Sequence, residues 1–68
     1  MRIKVGDTIR LIGTSSRVMQ ILLDDDGVGK NWNGLCTFKG VNRKNKNICK
    51  VETRGVEAIM MCEDINIK

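Results

Sequence analysis

The chain contains no proline, so every reversal of its path has to be made by glycine, asparagine, aspartate or serine. These residues cluster at Gly6-Asp7, Gly13-Thr14-Ser15-Ser16, Asp24 to Gly34, Gly40 to Asn47 and Arg54-Gly55. The segments between the clusters run to about five to seven residues, the spacing of a small antiparallel meander or barrel. With 68 residues in all, one modest core is the ceiling.

Thr8 to Ile12 alternates, with Ile9 and Leu11 on one face and Arg10 on the other, as in a half-buried strand. Arg17 to Leu23 carries Met19, Ile21 and Leu23 at period two and is expected to be a second strand. Leu35 to Lys39 and Asn47 to Glu52 mix β-branched and aromatic residues with polar ones and bracket Gly40 to Lys46 as a hairpin. Val56 to Cys62 fits a strand through Ile59 and Met61 and a helix through Val56, Ile59 and Met60, and the strand reading is preferred. Glu63-Asp64 is expected to turn into a last short strand, Ile65-Asn66-Ile67. The expected core is Val5, Ile9, Leu11, Met19, Ile21, Cys36, Phe38, Val51, Ile59, Met61, Ile65 and Ile67.

Hydrophobic residues make up 41% of the chain and charged residues 29%, a balance that suits a folded globule. No apolar run approaches the roughly 18–20 residues of a membrane span, and no signal-peptide core follows the N-terminus. Cys36, Cys49 and Cys62 are odd in number and widely spaced, and the chain has no histidine. Zinc is therefore not expected, and three free, reduced thiols in a cytoplasmic protein are.

Without histidine, Cys-His and Ser-His nucleophilic pairs are excluded. Asp24, Asp25 and Asp26 are adjacent in a glycine-bearing segment, not opposed across a cleft, and read as a solvated turn. They make no EF-hand, because alignment on Gly27 puts Leu22 at the first ligand position and Asn33 at the bidentate one. Gly27-Val28-Gly29-Lys30 lacks the spacing of a phosphate loop. Neither catalytic residues, cofactor nor metal is expected.

Two features remain as binding candidates. Trp32 sits between Asn31 and Asn33, where it either projects to stack on a base or anchor in a partner, or folds back to close the end of the core. From residue 39 to 54 the chain carries Lys39, Arg43, Lys44, Lys46, Lys50 and Arg54 against Glu52 alone. The whole chain has a formal charge of +4 and a pI near 9.3, which favours nucleic acid or an acidic protein surface as partner.

The opening Val5-Gly6-Asp7-Thr8-Ile9-Arg10-Leu11, followed by a Gly-Ser turn and Val18-Met19-Gln20-Ile21, resembles SH3-like small barrels of the KOW and Tudor type. It is most similar to a family of short bacterial proteins of unknown function with a V-G-D-x-V-x-L opening and a Cys-x-aromatic strand, here Cys36-Thr37-Phe38. Cys62-Glu63-Asp64-Ile65 is similar to the short turn before the last strand of such barrels. Ser15-Ser16-Arg17 replaces the family's Gly-Gly-Pro-x, and the Asp24 to Gly34 segment is longer than the family's.

The sequence reading is thus an all-β, SH3-like barrel of about five antiparallel strands, with residues 1–68 as one domain. Its expected function is non-catalytic binding of nucleic acid through the basic hairpin, with Trp32, Lys39, Arg43, Lys44, Lys46, Lys50 and Arg54 as contacts. The alternative is a small modulator of the phage or mobile-element type that places the same residues on an acidic protein. The oligomeric state is left open.

Overall fold

The computed structural model describes residues 3–67, the last of them by backbone alone. Along the chain come β1 (Thr8–Leu11), α1 (Gly13–Asp25), β2 (Leu35–Val41), β3 (Ile48–Thr53), β4 (Val56–Met61), a 3-10 turn (Cys62–Asp64) and β5 (Ile65–Ile67). The strands form one antiparallel sheet in the order β4-β3-β2-β1-β5. The number of strands agrees with the expected five or so, but one expected strand is replaced by a 13-residue helix, so the fold is mostly β and not all-β. Among the described residues β4 and β5 do not pair, so the sheet stays open.

The segment read as a second strand, Arg17 to Leu23, lies in α1. Over so short a window Met19, Ile21 and Leu23 satisfy period two, but Ser15, Met19 and Leu23 are four residues apart, and these are the residues α1 buries. Ile21 consequently faces water, 61% exposed, and Leu23 takes a place in the core. The helix ends in a Schellman motif: the Gly27 N–H donates to the Asp24 carbonyl (3.0 Å) and the Val28 N–H to the Leu23 carbonyl (2.9 Å). Gly27 has φ +75°, open to glycine at little cost, and Val28 packs against the core beside it.

At the other end Ile12 offers no side-chain cap. Asp64, from the 3-10 turn, anchors this end without capping it: its carboxylate accepts the Ser15 hydroxyl at 2.7 Å and its carbonyl accepts the Ile12 N–H at 2.8 Å. A carboxylate here also suits the positive end of the helix dipole. The bond ties helix to turn across 49 residues of sequence.

Ile9 and Leu11 from β1, Met19 and Leu23 from α1, Cys36 and Phe38 from β2, Cys49 and Val51 from β3, and Met60 from β4 make the core between helix and sheet. The expectation for β4 was out of phase by one residue. Met60 pairs with Cys49 and turns inward, so Ile59 and Met61 point outward, 64% and 46% exposed. Val5 is also exposed, on the turn before β1, while Ile65 is half-buried; the side chain of Ile67 lies outside the described residues.

Cysteine chemistry differs most from expectation. Cys49 and Cys62 are joined by a disulfide, and only Cys36 is a free thiol. Spacing along the chain concealed the proximity: the β3–β4 hairpin pairs Ile48 with Met61, which returns Cys62 to the start of β3 and sets the two Cα atoms 5.3 Å apart. Among the described residues no helix is long and apolar enough to cross a membrane.

Candidate nucleic-acid interface

Six consecutive exposed residues, Asn42 to Asn47, join β2 to β3. Their order comes from asparagine. The Asn42 side-chain carbonyl accepts the N–H groups of Lys44 (2.8 Å) and Asn45 (3.0 Å), and that of Asn45 accepts the Asn47 N–H (3.0 Å). Backbone bonds from Asn42 to Ile48 (2.8 Å) and from Ile48 to Asn45 (3.1 Å) close the base. Local side-chain bonds of this kind fix a turn without help from the charged residues. Arg43, Lys44 and Lys46 are left exposed on a shaped backbone.

Lys39 and Lys50 extend the basic surface from the loop onto the outer face of the sheet. Lys39 is the extra residue of a β-bulge, since Phe38 pairs with Val51 and Gly40 with Lys50. Both lysines line a shallow groove of about 260 Å³ with Val41, Ile48 and Ile59. Lys50 also lies 3.7 Å from Glu57, an exposed pair that holds it weakly. The apolar floor escaped the sequence reading because it depends on the phase of β4; a count of outward positions from Met60 would have found Ile59.

Arg54 and Trp32 are elsewhere. They belong to the opposite end of the β2–β3 hairpin, one strand length or roughly 20 Å from the loop. Arg54 occupies the β3–β4 turn at φ +53°, followed by Gly55 at φ +83°. Its guanidinium donates to the carbonyls of Val28 (2.8 Å), Lys30 (2.7 Å) and Asn31 (3.4 Å) and so clamps the connection after α1. Trp32 is half-buried against the core, and its indole N–H donates to the Leu35 carbonyl at 3.0 Å. It folds back, as one of its two sequence readings had it.

Cys36 is buried in β2, and desolvation, reinforced by the negative charge of Glu52, pushes its thiol up to about 11. It is a poor nucleophile at neutral pH. Among the described residues no group of three or more Cys, Asp or Glu side chains could hold a metal.

No family model, no curated protein and no solved structure matches this chain.

Proposed function

We propose that this chain is a non-catalytic binding module that holds nucleic-acid phosphates on the Asn42 to Asn47 loop. Arg43, Lys44 and Lys46 are the principal contacts, and Lys39 and Lys50 continue the track over the outer face of the sheet. The observation that carries this reading is the division of labour in the loop: asparagine side chains bind the backbone, so none of the three cations is needed to hold the turn. Cations placed on an ordered backbone contact phosphates at a smaller loss of conformational freedom than cations on a floppy one. Trp32 and Arg54, already engaged with backbone carbonyls, serve the fold that presents the loop.

We read the architecture as a relative of the SH3-like barrels in which α1 fills the first loop. The 3-10 turn before the last strand and the position of β1 between β2 and β5 support that reading.

The test is binding of single- and double-stranded DNA and RNA at several salt concentrations. Changing Arg43, Lys44 and Lys46 together to alanine should weaken binding evenly across sequences and flatten the slope of log affinity against log salt by up to about three. Absence of binding by the unaltered protein at about 50 mM salt would refute it. An acidic protein partner is the second reading, favoured by the outward-facing Ile59 and Met61 beside Lys50.

A further inference from the structure

The Cys49–Cys62 bond lies where the basic loop rejoins the sheet. Cys49 faces the core from the second residue of β3, whereas Cys62 opens the 3-10 turn and is only half-buried. The Cys62 N–H donates to the Asn47 carbonyl at 2.8 Å, so the turn already grips the last residue of the loop. The Cys62 sulfur stands 3.5 Å from the Lys46 carbonyl oxygen. A disulfide sulfur carries no proton, so this is a plain contact while the bond is intact; a Cys62 thiol would be a weak donor to that carbonyl. Asn47, Met61 and Glu63 line a surface depression beside Cys62, and a second depression, reaching Val41 and Lys46, touches both bonded cysteines. An incoming thiolate has room to approach.

We infer that Cys49–Cys62 is an exchangeable redox site that sets the rigidity of the basic loop, pinned when oxidised and released when reduced. Its consequence for binding rests on the function proposed above. The reductant is a dithiol. One of its thiolates attacks the Cys62 sulfur, forming a mixed disulfide and expelling the Cys49 thiolate, which takes up a proton. The second thiolate of the reductant then attacks its own mixed-disulfide sulfur, so the reductant leaves as a cyclic disulfide and the Cys62 thiolate is protonated in turn. Two electrons and two protons pass to the protein. Cys36, buried in β2, takes no part.

The experiment compares oxidised protein, protein reduced with dithiothreitol, and the double variant Cys49→Ser/Cys62→Ser. Alkylation after denaturation should count one thiol before reduction and three after. On reduction the amides of Asn42, Ile48 and Cys62 should exchange with solvent at least about tenfold faster, while those of Leu11 and Phe38, bonded to Gly34 and Asp7, keep their rates. Nucleic-acid affinity should fall several-fold, and the double variant should behave as the reduced protein and ignore dithiothreitol. Three thiols before reduction, unchanged loop amides, or an equal rise in β1 and β2 would each overturn the inference, the last by marking the bond as a general staple. If the oxidised protein binds no nucleic acid, the proposed function fails while thiol count and exchange still decide the redox site.

Discussion

The two long connections of this protein take their shape from different sources. The Asn42 to Asn47 loop is shaped by its own asparagine side chains, over two or three residues of sequence, and is gripped from outside at its Asn47 end, by Cys62. The connection from Asp26 to Gly34 is held from outside. Gln20 donates to the Gly29 carbonyl (2.9 Å), Arg54 to those of Val28 and Lys30, Arg10 to that of Asn33 (3.0 Å), and Trp32 sinks toward the core. Both segments are rich in polar residues and glycine or asparagine, so composition alone makes them look alike. The difference teaches that a charged or aromatic residue in a loop is available to a partner only when the backbone does not already use it.

The sharpest break of that comparison is Trp32→Ala, which empties part of the core and leaves the Leu35 carbonyl without its indole donor. A loss of about 3 kcal/mol in chemical denaturation is expected, and a loss under about 0.5 kcal/mol would return Trp32 to the binding surface. Next comes β2, the strand that joins the two loops. Because the Cys36 thiol is raised from 9.0 to about 11 in the folded state, the native protein holds its proton where the unfolded chain has lost it. Stability is then fully present below pH 9 and falls as pH rises from 9 toward 11, by as much as about 2–3 kcal/mol. Cys36→Ala should remove that slope, and an unchanged slope would assign it to other groups.

Arg54→Met should be milder, about 1 kcal/mol, since the guanidinium is exposed and its bonds compete with water. Its clearer mark would be faster exchange at the Val28 and Trp32 amides, with the Asn42 to Asn47 loop unaffected. The smallest effect on stability belongs to the alanine triple at Arg43, Lys44 and Lys46. A midpoint shift equivalent to less than about 0.5 kcal/mol is expected, and a larger one would mean that the cations, too, support the fold.

The strands were legible where one pattern had no rival. Thr8 to Leu11, Leu35 onward, Ile48 onward and Ile65 to Ile67 all lie where alternation and turn residues placed them. The helix was not, because Met19, Ile21 and Leu23 fit period two as well as Ser15, Met19 and Leu23 fit period four; the readable signal was Gly27 as a helix terminator, with Val28 behind it. The disulfide was hidden for a different reason. It follows from hairpin register, which brings residues 13 apart side by side, and register depends on turn geometry that cysteine spacing does not record. Of the seven candidate contacts, the structure brings Arg43, Lys44 and Lys46 onto one loop and Lys39 and Lys50 onto one groove, and separates Trp32 and Arg54 from both.

The bulge at Lys39 has a consequence for how such a chain can vary. Because Phe38 faces Val51 and Gly40 faces Lys50, the residue between them is matched by nothing on β3. A variant lacking it would keep every other pairing of the β2–β3 ladder, and Val41 would still meet Cys49. It would lose one positive charge and the local twist that a bulge adds. Among strand positions paired on both sides of the sheet, a deletion of one residue moves all that follows to the wrong face. At Lys39 it does not, so this is the place within the sheet where chain length is free to change by one.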